Sequence, residues 1–158
     1  MTLMLGVSAS AEIFYVNSNA TAGGDGTSWE TAFNYLQDAL DSTNSETGDQ
    51  VWIAKGTYYP DDGNNVTEGD RLATFFVKDG VQLYGGFSGV EDSVDQRNWQ
   101  ENKTYLSGEI YNEKIFWSIH IITTGYVYGD ERPSSITLDG LYIIKGNANG
   151  DSSEGRSY

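Results

Sequence analysis

Four carboxylates lie within ten residues of one polar segment and could bind a cation. They are Asp61, Asp62, Glu68 and Asp70, in a segment rich in Asp, Asn and Gly. Carboxylate oxygens are the ligands that calcium prefers. The spacing departs from the EF-hand pattern, because Val66 falls where an oxygen ligand is required if Asp62 takes the first position. A calcium site of another geometry and a solvated loop both stay open, and the composition favours the solvated loop.

Aromatic side chains are the second group with chemical potential, because exposed Tyr and Trp rings can stack on sugars. They make up 13% of the chain, so some are expected at the surface even though most belong in the core. The candidates for sugar contacts are Tyr58, Tyr59, Trp99, Tyr126 and Tyr128.

The sequence offers little for catalysis. It has no cysteine, which excludes disulfides, thiolate zinc sites and cysteine nucleophiles. The one histidine, His120, lies in the apolar run 116–122 and is expected to be a partly buried strand residue. Arg71, Arg97 and Arg132 each follow an acidic residue by one or two positions, which is typical of structural ion pairs. We predict no catalytic residue.

The charge balance narrows the choice of partners. With 23 acidic against 9 basic residues, the formal net charge is -14. A field of that sign repels phosphate backbones, so nucleic acid is not an expected partner.

Short strands are the elements expected to position these side chains. The pattern D-G-apolar-x-apolar-x-x-G occurs at 79–86 and again at 139–146, sixty positions apart (139 minus 79). A short strand ended by glycine and repeated along a chain is typical of a solenoid. The repeat therefore predicts stacked strands rather than a closed single-core domain.

One amphipathic helix is also predicted. Thr27 is a suitable N-cap, and Glu30 three positions later completes a capping box. Four apolar residues then follow at helical spacing, namely Trp29, Phe33, Leu36 and Leu40. Such a helix is expected to cover the open end of the strand stack.

The first eleven residues resemble the later part of a signal peptide. They carry no charge and end in Ala9-Ser10-Ala11, which fits the small-x-small rule for signal peptidase. Residues 1–11 are therefore predicted to be a partial signal peptide, and the mature domain would cover 12–158. The apolar part is too short to span a bilayer, so no transmembrane segment is expected. The alternative is an ordinary apolar N-terminal strand.

Several segments, taken in order, carry a resemblance to a known family. They are 15–17, 24–29, 36–40, 48–58, 84–87, 96–99 and 106–108. Together they resemble the N-terminal region of bacterial secreted right-handed parallel β-helix proteins, in the pectin-lyase-like superfamily, and of relatives with polymorphic outer-membrane-protein-like repeats. The resemblance implies an all-β fold, a right-handed parallel β-helix with one N-terminal capping α-helix. It also implies that the chain holds only the first coils, and that the rest of the same β-helix follows Tyr158.

The resemblance leaves two classes of function open. The favoured class is a secreted or cell-surface scaffold, adhesin-like, which catalyses no reaction. The alternative is a polysaccharide lyase or glycoside hydrolase whose active residues lie mostly beyond Tyr158. Binding of a polysaccharide or of a host or cell-surface glycan without catalysis lies between the two classes and stays open. In pectate-lyase-type enzymes calcium and a basic residue remove the proton beside a uronate carboxylate. The segments that match are fold motifs, so no catalytic residue can be transferred from them. We expect no cofactor, and calcium is the one candidate.

Overall fold

The computed structural model describes residues 10–110, 116–125 and 135–148, in which eleven strands and one α-helix occur. The strands are β1 (Ile13–Val16), β2 (Gln50–Ala54), β3 (Gly56–Tyr58), β4 (Phe75–Lys78), β5 (Gln82–Phe87), β6 (Thr104–Ser107), β7 (Glu109–Ile110), β8 (Phe116–Trp117), β9 (Ile122–Gly125), β10 (Thr137–Asp139) and β11 (Leu141–Ile144). The helix is α1 (Leu36–Ser42), and a single 3-10 turn covers Val94–Gln96.

The strands form three parallel sheets and one antiparallel pair. Sheet 1 has the order β1-β2-β5-β10, sheet 2 the order β11-β6-β3, and sheet 3 consists of β4 and β9. Strands β7 and β8 pair antiparallel. Neighbours in the chain often belong to different sheets, since β2 is followed by β3 across Lys55 and β10 by β11 across Gly140.

One hydrophobic core lies between the three parallel sheets and the helix. Each of these elements contributes side chains that are almost completely buried, among them Val16, Leu36, Val51, Phe75, Leu83 and Leu106. Burial of each such side chain contributes about 1.5–3 kcal/mol. Side chains alternate along a strand, so the neighbours of a buried sheet 2 residue such as Leu106 point away from the core.

The predicted helix is wrong in its start and in its capping. Helix α1 begins at Leu36, with Tyr35 as an N-cap that makes no side-chain capping bond. Thr27 instead donates its amide and hydroxyl to the Asp25 carboxylate, at 3.1 and 2.8 Å, and this local turn competes with helix formation. Trp29 contacts the rings of Tyr15 and Phe87. Tertiary packing has thus overridden the helical spacing of residues 27–35.

The two Asp-Gly copies do not occupy equivalent positions. In the first copy Asp79-Gly80 precedes β5, whereas in the second Asp139 ends β10. In sheet 1 Asp139 lies opposite Tyr84, an offset of 55 (139 minus 84) rather than sixty. The segment after Gly140 then enters sheet 2 beside β6. The repeated sequence pattern therefore reflects a turn that both segments share. It does not set the strand register, which depends on which side chains are buried.

The predicted all-β fold, a right-handed parallel β-helix with an N-terminal capping helix, is therefore wrong. Across the described residues, the sheet 1 strands start at 13, 50, 82 and 137, which is no fixed repeat, and β7 and β8 interrupt the parallel arrangement. The chain instead forms three small parallel sheets and one helix, compatible with a parallel α/β arrangement. The local glycine and turn signals predicted parallel strands but could not predict how those strands are distributed among sheets.

Residues 1–9 lie outside the described part of the chain, so the signal-peptide prediction stays a prediction. Ser10, Ala11 and Glu12 are exposed and lead into β1. The longest helix that the structure describes has seven residues, and no described helix is long and apolar enough to cross a bilayer.

Candidate functional site

An open cavity of about 440 Å³ lies where β7, β8 and the end of β11 meet. The described residues that line it are Glu109, Trp117, Lys145, Gly146 and Asn147. Its volume falls within the range of about 300–1,000 Å³ that is typical of small-molecule sites. The cavity is therefore large enough for a ligand of the size of a sugar ring.

Backbone hydrogen bonds join the three segments that build this cavity. The Gly108 amide donates to Ile144 O at 2.9 Å, and the Ser118 amide donates to Gly108 O at 2.6 Å. The Asn147 amide donates to Ser118 O at 3.0 Å. Main-chain bonds thus set the spacing of the lining residues, which places the side chains before any ligand arrives.

Lys145 has an unusual backbone conformation at the end of β11. Its φ is 60°, and it is the one residue other than glycine with a positive φ in the described part of the chain. A left-handed conformation is unfavourable for a residue with a Cβ, and such conformations cluster at functional sites. The backbone of Lys145 lies close to Gly108, and only glycine fits there, because a Cβ on residue 108 would lie 2.5 Å from Lys145 O.

The conformation of Lys145 accompanies an ion pair with Glu109. Lys145 Nζ lies 2.6 Å from Glu109 Oε2, with side-chain exposures of 48% and 15%. The two groups give the cavity a charge-neutral pair that can both donate and accept hydrogen bonds. Trp117, 36% exposed, adds an accessible aromatic ring beside that pair.

Among the predicted aromatic candidates in the described part of the chain, Tyr59 is the one that interacts electrostatically with this pair. Burial raises the pKa of its phenol, and the charge of Glu109 raises that pKa further, while Lys145 acts in the opposite direction. Tyr59 therefore lies within electrostatic reach of both charged residues. It is half-buried and stays neutral at physiological pH.

The other aromatic candidates lie elsewhere. Tyr58 is 3% exposed, and its hydroxyl donates to Ala54 O at 2.9 Å, so it cannot present its ring to a sugar. Burial raises its pKa to about 12. Trp99 is 47% exposed but follows the 3-10 turn and packs its backbone against Gly86, away from the cavity lining. Tyr126 and Tyr128 lie outside the described residues.

Two of the four acidic candidates, Asp61 and Asp70, accept hydrogen bonds from backbone amides of their own loop. Asp61 is buried and accepts a hydrogen bond from the Gly69 amide at 3.0 Å, and Asp70 accepts one from the Leu72 amide at 2.9 Å. Burial raises the pKa of the Asp62 carboxyl, and the charges of Asp61 and Glu68 raise it further. Within residues 10–110, 116–125 and 135–148, no three acidic, His or Cys side chains form a group that could hold a metal ion.

The residues considered for catalysis have other surroundings. His120 is exposed between β8 and β9, not partly buried in a strand as predicted. Arg97 donates to Asp139 Oδ2 at 2.8 Å and to Gly85 O at 3.3 Å, and its guanidinium lies 5.0 Å from the centre of the Tyr84 ring. Arg97 therefore holds sheet 1 to the loop that follows β5.

The cavity residues Glu109, Trp117, Lys145 and Asn147 were not among the sequence-predicted site residues. They come from separate segments, and Glu109 and Lys145 are 36 positions apart. The sequence signal that could have drawn attention to them is weak, because a strand-end Glu, Trp or Lys is common on any surface. The pairing of β11 with β6 brings Glu109 and Lys145 together, and the pairing of β7 with β8 places Trp117 opposite Glu109.

Comparison of the chain with protein-family models, with curated proteins and with solved structures found no match.

Proposed function

We propose that this chain is a secreted or cell-surface module that binds a neutral glycan at the cavity defined by Glu109, Trp117, Lys145 and Asn147. The observation that carries the proposal is an exposed tryptophan beside a fixed Glu–Lys pair at an open cavity. An indole ring offers a flat apolar surface to a sugar ring, and the polar neighbours can bond to its hydroxyl groups.

The charge of the chain favours a neutral ligand. A net charge of -14 creates a field that opposes the approach of anionic polysaccharides. Inside the cavity, Glu109 and Lys145 neutralise each other. The predicted signal-peptide residues Ala9-Ser10-Ala11 support an extracytoplasmic location, where such glycans occur.

The enzymatic alternative receives less support from this geometry. A glycoside hydrolase of the usual kind needs two carboxyl groups that flank one bond. Glu109 is the one carboxylate among the described lining residues, and it forms an ion pair with Lys145. We therefore favour binding without catalysis, as a scaffold or adhesin-like protein would require.

Native electrophoresis in gels that contain a neutral polysaccharide tests this proposal. The probes are galactomannan, xyloglucan and laminarin, with polygalacturonate as the anionic control. The wild-type chain should be retarded by at least one neutral probe and not by polygalacturonate. Loss of a stacking ring should weaken binding about tenfold, so Trp117→Ala should run almost as in a gel without polysaccharide.

Trp99→Ala is the matched control, because it removes another exposed indole, 47% against 36% for Trp117, from a different surface. It should be retarded as the wild type is. Equal retardation of wild type and Trp117→Ala would refute the site, and failure of every neutral probe to retard the wild type would refute the proposed function. Release of reducing sugar from a bound probe would favour the enzymatic alternative.

A further inference from the structure

A second aromatic feature lies on the solvent-facing side of sheet 2. Tyr105 in β6 and Tyr142 in β11 are directly opposite each other in the parallel register. Their chain neighbours Leu106 and Leu141 pack in or against the hydrophobic core. Since side chains alternate along a strand, both tyrosines project away from the core.

The two rings form a closely spaced pair. Their centres are 5.3 Å apart with an angle of 44° between the ring planes, and both residues are half-buried. Lys103 Nζ lies 5.8 Å from the centre of the Tyr142 ring. The pair therefore combines apolar ring surface with a cation and two phenol groups, which are features that suit a polyhydroxylated ligand.

The cavity lies just beyond the ends of the two strands that carry the tyrosine pair. β6 ends at Ser107, and the chain continues through Gly108 to Glu109 at the start of β7. β11 ends at Ile144, and Lys145 follows it directly. Glu109 lies four positions after Tyr105 and Lys145 three positions after Tyr142, and an extended chain rises about 3.3 Å per residue, so the separation is at most about 10–13 Å. The tyrosines are not among the described lining residues of the cavity, so a ligand that contacts both must extend beyond the cavity.

We propose that Tyr105 and Tyr142 are a second stacking surface of the same site, and that the ligand is an extended neutral oligosaccharide lying along β6 and β11. This inference rests on the glycan-binding function proposed above. It assigns the cavity to one end of the ligand and the tyrosine pair to units further along it. The net charge of -14 argues against an anionic chain on this face, as it does at the cavity.

Cross-strand aromatic pairs also stabilise sheets, and that effect alone would account for the position of the two rings. The two roles differ in what they predict for ligand length. A purely structural pair affects stability and leaves the dependence of affinity on ligand length unchanged. A stacking surface adds affinity only for ligands long enough to reach it.

Isothermal titration calorimetry with the full chain measures this dependence. The probes are manno-, cello- and laminari-oligosaccharides of two to six units, beginning with the series whose polymer retards the wild type in gels. The wild type should bind the hexamer about tenfold more tightly than the dimer. Tyr142→Ala should lose that gain and bind the dimer within twofold of the wild type.

Tyr142→Leu removes the flat ring but keeps apolar volume in β11, so it serves if the alanine variant unfolds. Phe76→Ala removes an exposed aromatic ring from sheet 3 and should bind both probes as the wild type does. If both Tyr142 variants bind the hexamer as tightly as the wild type while Trp117→Ala loses binding, the second surface is overturned and the proposed function stays intact. Undiminished binding by Trp117→Ala, or no binding of any probe, would overturn both.

Discussion

Replacement of Lys145 by glycine and by alanine separates backbone strain from the ion pair at the candidate site. Both variants lose the ammonium group that lies 2.6 Å from Glu109. They differ in the backbone, because the φ of 60° at this position is unfavourable for alanine and readily adopted by glycine. The difference in stability between the two variants therefore reports the cost of the left-handed conformation, less the flexibility that glycine adds to the unfolded chain.

The structure gives the expected magnitudes. A left-handed residue with a Cβ is disfavoured by about 1–2 kcal/mol. Glycine also stabilises the unfolded state by about 0.4–1 kcal/mol, because it makes the unfolded chain more flexible, and this offsets part of the relief of strain. Lys145→Gly should thus be roughly 1 kcal/mol more stable than Lys145→Ala. The lost ion pair is partly solvated, with exposures of 48% and 15%, and costs each variant only about 0.2–1 kcal/mol.

Urea unfolding and thermal melting, both followed by circular dichroism, measure the difference. For a chain of this length, 1 kcal/mol corresponds to a change in Tm of about 2–4 °C. Both variants should also bind the neutral polysaccharide more weakly than the wild type, since both lack the donor at the cavity. A glycine variant no more stable than the alanine variant would refute the assignment of strain to Lys145.

Two further predictions concern a backbone contact and a carboxylate. Gly140→Ala should lower the unfolding free energy by about 1–3 kcal/mol more than Gly48→Ala. The two glycines have similar φ values, +70° and +73°, but of the two only Gly140 would bring a Cβ within 2.6 Å of a carbonyl oxygen, that of Gly85. Similar urea midpoints for the two variants would disprove the contact. Burial and neighbouring charges raise the Asp62 pKa above 3.8, so its charged form opposes folding at pH 7. Asp62→Asn should therefore raise Tm at pH 7, and the increase should shrink as the pH falls towards 4. Asp92→Asn, at an exposed position, should not raise Tm at either pH. An increase for Asp62→Asn that is the same at both pH values would contradict this reasoning.

The sequence predicted the types of elements better than their arrangement. Gly80 and Gly140 both adopt positive φ, as Asp-Gly turns require, and short strands follow both. The alignment of these two turns nevertheless failed, because Asp139 pairs with Tyr84 and not with a residue of the first turn. A turn motif describes a few residues, whereas register depends on which side chains the whole fold buries.

The candidate site shows the same limit. Tyr59 was predicted as a ligand-binding residue and lies near the Glu109–Lys145 pair, but Tyr58, its neighbour with the same side chain, is buried. Tyr58 is the last residue of β3 and belongs to the core, whereas Tyr59 follows the end of the strand, and the sequence does not say where the strand ends. Trp99, in a polar loop, was predicted as a sugar contact, whereas Trp117 lies in the apolar run 116–122 and was not, yet Trp117 is the one that lines the cavity.

By itself, the sequence determined the local and global quantities that need no partner in space. These are the charge of -14, the absence of cysteine and the glycine turns between short strands. The tertiary structure alone decided that the strands divide among three parallel sheets and an antiparallel pair, and that Glu109 meets Lys145 across 36 positions. The physical reason is that composition and turns act locally, whereas a binding site arises from long-range burial and strand pairing.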